Sequence, residues 1–309
     1  MSAEALVARD LTKTYTLRGG ITVPALRGVS LTIHPGERFA LLGRNGAGKT
    51  TFLRIASTLL VPSSGTVEVF GHDAIGDPDS VRPLLAVVPQ EGKPFFHLTP
   101  REQVYTYLCA RGFSRATAKA RTEEALEQMG LEEVADRLSV TLSGGQRQRT
   151  VVATVIATEA PLLFLDEPTI GLDPFARRGV WETFRRLTRR GSTILLTTHY
   201  LDEAENLAQR LAIVERGRVL VVGTSESLKQ QVGGTFRVSV GGGSRIRPQL
   251  ASFGNLVEDG EAVHVIVGPE RVQEILALSV REGLAATVGP VTLEEAFLSV
   301  VGHSINEES

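Results

Sequence analysis

Gly43, Gly48, Lys49 and Thr50 stand at the spacing G-x-x-x-x-G-K-[ST] within "GRNGAGKTT". Residues of these types at these intervals bind phosphate. Gly43, Gly46 and Gly48 reach backbone conformations closed to other residues, so successive N–H groups can turn inward around an anion. A helix opening at the end of the loop adds the attraction of its N-terminal partial charge. Lys49 is placed to reach β- and γ-phosphates, and the Thr50 hydroxyl to ligate Mg²⁺. The run Gly43, Arg44, Asn45, Gly46, Ala47, Gly48, Lys49, Thr50 and Thr51 therefore reads as a nucleotide phosphate site. A chance Gly-rich turn would rarely fall between an apolar run and a helical pattern, as this one does.

Other groups could complete that chemistry. "LLFLDEPT" ends an apolar run on two carboxylates, Asp166 and Glu167. Beside a phosphate loop, Asp166 suits a Mg²⁺ contact and Glu167 suits a general base or water-positioner; alone, such a pair is more often a solvated edge. His199 closes another apolar run, "STILLTTH", from where it could donate to a γ-phosphate oxygen, although a single His is usually structural. Gln90 could bind Mg²⁺ or water through its carbonyl. Tyr15 precedes the loop, and its ring could stack on adenine or simply pack at the surface or in the core.

"TLSGGQRQRT" poses a question of charge. Ser143 is a good N-cap, yet Arg147 and Arg149 sit in a first turn that already carries partial positive charge. Each such mismatch costs about 0.3–1 kcal/mol. Either the side chains face solvent or an anion arrives from elsewhere.

The elements that must position these groups are strands and helices in alternation. "FALLG" (39–43), "LLAVVPQ" (84–90), "PLLFLDE" (161–167) and "STILLTTH" (192–199) are continuously apolar, as strands buried on both faces are. Each ends in glycine or a polar residue, where ligands sit in an open α/β sheet. "LVARDLTKTY" and "GVSLTIHPGERFA" alternate, predicting an antiparallel β layer. Thr99 and Glu102 form a capping-box pattern with Pro100 at the first helical position. A second helix over about 115–129 should stop at Gly130. Residues 210–223 predict a hairpin around Glu215–Gly217. After Gly223, "TFRVSV" and "AVHVIV" alternate around the loop "GGGS", and helices follow at about 270–282 and 292–301, the latter opened by Thr292 and Glu295.

Bulk properties narrow the class. At 309 residues the chain exceeds the roughly 100–200 of one typical domain. A net charge of −2 gives no reason to expect nucleic acid as a partner. Cys109 is the only cysteine, so no disulfide can close within the chain and a reducing compartment fits. No stretch of about 20 apolar residues is present to span a bilayer, and "MSAEALVARD" has no signal-peptide pattern.

Taken in order, "GRNGAGKT", "VVPQ", "LSGGQ", "LLFLDEPT", "GLDP" and "TTHYLDEAE" resemble the ATP-binding-cassette ATPases over about residues 5–225. The resemblance implies a P-loop α/β core with ATP and Mg²⁺ as ligands. It implies Tyr15 as the adenine-stacking residue, Gln90 as the Q-loop, and Leu142–Gln146 as the signature. Asp166 and Glu167 would be the Walker B acids, Gly171–Asp173 part of the D-loop, and His199 the switch histidine. In that family two such domains meet head to tail, so Ser143, Gly144, Gly145 and Gln146 would cap the partner's ATP. One phosphate loop and one signature per chain then make a homodimer with two complete sites. "GRVLVVGTSESLKQQ" and Leu293–Phe297 resemble the daunorubicin-resistance type of exporter ATPase, which works with an ABC-2 type membrane subunit at the cytoplasmic face of the membrane.

The expected architecture is a mostly parallel sheet covered by helices, with an antiparallel β layer and a helical subdomain at about 91–150, together spanning 1–223. A linker at 224–234, a small α+β accessory domain at 235–303 and a tail at 304–309 complete it. The family often places an Ala-Arg pair where "SGGQRQRTVVATVIA" carries Thr150 and Thr154, a departure expected to touch packing more than chemistry. Phe95 and Phe96, in "QEGKPFFHLTPRE", are expected to tuck beneath the helical layer, with docking of a partner helix as the other reading. For function, a transport motor competes with a soluble cassette ATPase acting on nucleic acid or ribosomes. The latter usually needs a second cassette or a long insertion, and only about fifty residues separate Gln90 from Ser143.

Overall fold

The computed structural model describes residues 3–90, 92–259 and 262–307. The chain forms two compact units, residues 1–219 and 220–309.

In the first unit an antiparallel sheet takes β1 (Leu6–Thr16), β2 (Thr22–Ile33), β4 (Ser64–Val69) and β5 (His72–Asp73) in the order β2-β1-β4-β5. Leu6, Ala8 and Leu11 of β1 are buried while Arg9 and Asp10 face out; a register shift between Ala8 and Leu11 resets the alternation. Strands β4 and β5 were not evident from sequence, because "SGTVEV" is short and opens on polar residues.

The second sheet holds β3 (Arg38–Leu42), β6 (Leu85–Val88), β7 (Leu162–Asp166), β8 (Thr193–Thr198), β9 (Arg210–Glu215) and β10 (Arg218–Gly223), ordered β10-β9-β3-β8-β7-β6. The boundary between the units falls within β10. From β9 to β6 every pairing is parallel. Every residue of β7 and β8 is buried, as their unbroken apolar runs require. Phe39, Phe52 and Phe164 share one core with Leu6, Leu11 and Val67 of the antiparallel layer. Burying each such side chain is worth about 1.5–3 kcal/mol, so this core locks the two sheets together.

The unit's helices are α1 (Lys49–Ala56), α2 (Pro78–Val81), α3 (Pro100–Ala110), α4 (Arg115–Gln128), α5 (Gly144–Ile156), α6 (Pro174–Arg189) and α7 (Leu201–Leu207). Thr99 and Glu102 close both bonds of the predicted capping box on α3, with Pro100 at its start. Ser114 caps α4, and the chain leaves it through Met129 and Gly130, whose φ is 58°. On α5, Thr150 and Thr154 are buried and back-bond to the carbonyls of Gln146 and Thr150. Gln103 of α3 donates to the Thr154 hydroxyl at 3.0 Å and accepts from Phe95 N–H at 2.9 Å. Thr154 thus ties α5 to α3. Phe95 and Phe96 do not tuck beneath this layer: they are 71% and 45% exposed. The bond to Gln103 holds the Phe95 backbone at the layer's edge and leaves its ring outside.

In the second unit lie α8 (Ser225–Gln230), β11 (Phe236–Val240), α9 (Arg247–Ala251), β12 (Asn255–Asp259), β13 (Ala262–Val267), α10 (Pro269–Arg281), β14 (Ala286–Pro290) and α11 (Leu293–Glu307). Residues 224–234, which read as a linker, hold α8, capped by Thr224 and anchored by buried Leu228. From β11 to β14 the order of elements is β-α-β-β-α-β, and the sheet is antiparallel in the order β12-β13-β11-β14, a split βαβ arrangement. Val238, Val240, Val263 and Val265 meet Ile275 and Leu278 of α10 in its core. The opposite face carries Arg237, paired at 2.7 Å with the buried Glu295 of α11.

Candidate nucleotide site

The phosphate loop leaves β3 at Gly43 and enters α1 at Lys49, as the spacing predicts. Gly48 caps α1 in a left-handed conformation, φ 106°, where a β-carbon would lie 2.5 Å from the Ala25 carbonyl oxygen. At Gly43 a β-carbon would lie 2.2 Å from the Val214 carbonyl oxygen. Only glycine fits either place. Lys49 Nζ donates to the carbonyls of Gly43 at 2.7 Å and Arg44 at 3.1 Å, folding the loop around its own ammonium group.

Around this loop the carboxyl ends of three strands deliver the other groups. Thr50 Oγ1 donates to Asp166 Oδ1 at 3.1 Å and lies 3.4 Å from Gln90 Oε1. The Thr197 hydroxyl, on β8, also donates to Asp166 Oδ1. Burial pushes the Asp166 carboxyl above its ordinary 3.8, with the Thr197 and Thr50 hydroxyls opposing the shift. Burial likewise pulls Lys49 below its ordinary range, opposed by Glu167 and Asp166. Glu167 Oε1 lies 3.9 Å from Lys49 Nζ, and both side chains are 5% exposed. His199 Nδ1 lies 3.1 Å from Glu167 Oε2, near enough for charge interaction but not aligned as a hydrogen bond. A cleft of about 310 Å³ opens beside Thr50, Gln90 and Asp166.

The oxygens of Gln90 and Asp166 both lie beside the Thr50 hydroxyl, and all three residues line the cleft. Hard oxygen donors beside a buried carboxylate suit a hard divalent cation that keeps waters and phosphate oxygens as its remaining ligands. Among the described residues no group of three or more His, Cys, Asp or Glu side chains forms a metal cage.

Tyr15 stands at the rim, its hydroxyl 3.5 Å from Thr51 Oγ1 and its ring 5.5 Å from Lys13 Nζ. Ser143 caps α5 and forms a capping box with Gln146. No hydrogen bond or ion pair among the described residues ties Ser143, Gly144, Gly145 or Gln146 to the phosphate loop of the same chain. Instead α5 is held to the strand-end segment after Glu167, with Gln148 Nε2 donating to the Pro168 carbonyl at 2.9 Å. A β-carbon on Gly144 would meet nothing within 4 Å, and one on Gly145 only an ordinary contact at 3.5 Å with Leu172. These helical glycines cost stability and serve no packing need inside the chain.

The charge question has half an answer in the fold. Arg149 Nη1 donates to the carbonyls of Met129 at 2.7 Å and Gly130 at 3.1 Å, capping the far end of α4. A cation there offsets that helix's negative end. Arg149 is therefore half-buried and engaged with the end of α4.

Sequence reasoning overlooked Thr197, Thr169 and Glu203. Thr197 takes the Glu167 N–H at 3.1 Å and donates to Asp166. Its signal was a buried polar residue inside an apolar strand run. Arg177 of α6 stacks 4.6 Å over Tyr200, whose ring is 4.2 Å from His199, and pairs with Asp202 at 3.0 Å.

A family model described as "ABC transporter" matches residues 26–170. The chain is 37% identical over 304 residues to the daunorubicin/doxorubicin resistance ATP-binding protein DrrA of Streptomyces peucetius, covering 92% of this chain and 90% of that one. It is 35% identical over 286 residues to the Nod factor export ATP-binding protein I of Burkholderia lata, covering 91% and 93%. Among solved structures, the ATP-binding cassette MJ0796 in a dimeric post-hydrolysis state bound to ADP and Pi matches with a TM-score of 0.66 and 28% identity, over 71% of this chain and 98% of that one. An ATP-binding subunit of an ABC transporter matches with a TM-score of 0.65 and 30% identity, over 74% and 92%.

Proposed function

The chain belongs to the ABC transporter ATP-binding family, and from that premise we propose that it works as a head-to-tail homodimer whose two ATP sites each span both copies. As a member of that family it is an ATP-hydrolysing transporter subunit rather than a free-standing nucleic-acid or ribosome ATPase. The observation that carries the dimer is the start of α5. A β-carbon on Gly144 would stand in open space and one on Gly145 would make only ordinary contacts, so packing does not demand these glycines, and a helix start of this kind suits a phosphate from outside the chain.

Each residue then has a task. The Gly43–Gly48 backbone and Lys49 bind the phosphates, and Tyr15 stacks on the adenine. Thr50, Gln90 and Asp166 would hold Mg²⁺, which when bound neutralises charge on the β- and γ-phosphate oxygens. Glu167 accepts a hydrogen bond from the attacking water and turns its lone pair toward the γ-phosphorus. His199 donates to a γ-phosphate oxygen. Ser143, Gly144 and Gly145 of the second copy close over the same phosphate, so its loss releases the dimer.

No described helix is long and apolar enough to cross a membrane. Relatives named as ATP-binding proteins of resistance and export systems support a motor that acts through a separate subunit, which we take to be an ABC-2 type permease engaged from the cytoplasmic face. Exposed Phe95, Phe96, Leu138 and Val140 supply an apolar edge for it, drawn together by the bond from Val140 N–H to the Phe96 carbonyl at 3.3 Å. Relatives named for drug resistance and for Nod factor export support outward transport of a small molecule or natural product. Residues 235–303 serve as an accessory domain.

Glu167→Gln tests the core of this reading. It should retain ATP binding, lose turnover and leave an ATP-dependent dimer on size-exclusion chromatography. Wild-type turnover in that variant, or full activity in copies kept monomeric by dilution, would refute it.

A further inference from the structure

Glu167 occupies a left-handed backbone conformation, φ 49°. For a residue with a β-carbon this costs about 1–2 kcal/mol and persists only where neighbours over-determine it. Ahead of Glu167 the hold is plain, because its N–H donates to the Thr197 carbonyl at 3.2 Å and hydroxyl at 3.1 Å. After it the chain turns through Pro168 and Thr169, and Ile170 N–H returns to the Glu167 carbonyl at 3.2 Å. That turn needs an anchor of its own.

The anchor lies beneath it. Thr169 is fully buried, and its hydroxyl donates to Glu203 Oε1 at 2.8 Å. Trp181 Nε1 of α6 donates to the same oxygen at 3.1 Å. Glu203, on α7 four residues past His199, is 0% exposed. Alongside, the Thr198 carbonyl accepts from Gly43 N–H at 3.4 Å. One buried carboxylate oxygen thus meets both the turn after Glu167 and the helix behind it. Burial at this depth pushes its pKa up, so the group is a cost to the fold. An apolar side chain of its size would pack there without that cost.

Resting on the reading of Glu167 as the residue that orients the attacking water, we propose that Glu203 is a positioning residue for hydrolysis. Its carboxylate pins Thr169 and Trp181 to one oxygen and so holds the turn that carries Glu167 in place beside the phosphate loop. It touches no reacting atom itself.

Three variants of the full chain test this, with Trp181, the only tryptophan, as a built-in reporter. Glu203→Ala and Thr169→Val should each lower kcat roughly tenfold to a hundredfold, with the KM for ATP within about twofold. Glu203→Gln keeps an oxygen toward Thr169 and Trp181, so it should recover most of the rate. Glu203→Ala should also shift Trp181 emission, and Thr169→Val should speed hydrogen exchange at the Ile170 and Leu172 amides. A kcat within about twofold of wild type in Thr169→Val and Glu203→Ala would overturn the proposal. So would a rise in KM alone, or a Gln variant no better than Ala. Should Glu203→Ala fail to fold, Thr169→Val carries the test, since it removes one hydroxyl and keeps the shape. Glu167→Gln runs beside them. If that variant turns over normally, the reading of Glu167 has failed, and amide exchange in Thr169→Val decides the pin by itself: faster supports it, unchanged overturns it.

Discussion

The Thr50 hydroxyl donates to Asp166 Oδ1 at 3.1 Å, joining the first turn of α1 to the end of β7 across 116 residues of chain. Asp166 is 2% exposed, and burial holds its carboxyl above the ordinary 3.8. The folded state therefore binds this proton more tightly than the unfolded chain does. Stability contributed by the protonated form is complete below about pH 3.8 and is lost as pH rises through the higher folded value. At neutral pH the ionised Asp166 is a cost that a divalent cation would relieve. Without nucleotide, Asp166→Asn should be more stable than wild type at pH 7, with the difference vanishing in acid. With ATP and Mg²⁺ the order should reverse, because the variant gains little from the cation. Thermal unfolding at several pH values, with and without MgATP, checks both halves.

Lys49 is spent on its own loop, bonded to the Gly43 and Arg44 carbonyls. Those oxygens are replaceable by water, but a phosphate's partner is not. Lys49→Ala should weaken nucleotide binding by about 1.5–3 kcal/mol, the worth of a charge-assisted hydrogen bond, or roughly tenfold to a hundredfold. Calorimetric titration with ATP measures it; unchanged affinity would count against the phosphate site.

Gly144→Ala and Gly145→Ala separate folding from function. Both positions have room for a methyl group, and Ala is the better helix former by about 0.8–1 kcal/mol. Each variant should melt no lower than wild type, yet lose ATP-driven dimerisation and most turnover, because the methyl groups stand where a second copy's phosphate must approach. Melting temperature and light scattering in ATP are the two readouts, and a stable variant that still dimerises would sink the composite site.

Phe95 and Phe96 lie outside the helical layer. Replacing both with Ser should change stability by no more than about 0.5 kcal/mol and leave the basal ATPase of the chain alone intact. Retention of the membrane subunit through purification in detergent should fall sharply. Unaltered co-purification would move the docking edge elsewhere.

How much of this could be read beforehand follows the range of the information involved. The phosphate loop, the capping box at Thr99, the N-cap at Ser143 and the buried strands ending at Asp166 and Thr198 are written in spacings of a few residues. Backbone conformation and burial pattern respond to those spacings directly. By themselves they determined the P-loop core, the groups available for phosphate chemistry and the family.

What the tertiary structure decided is where side chains point once distant segments meet. Arg149 turned to the end of α4, and Phe95 stayed outside because Gln103 holds its backbone at the rim. Thr197 and Glu203, unremarked in the sequence, became the supports of Asp166 and of the turn after Glu167. No local pattern encodes such pairings, since each depends on the path of the chain between the partners and on which oxygen lies within 3 Å or so when the core closes.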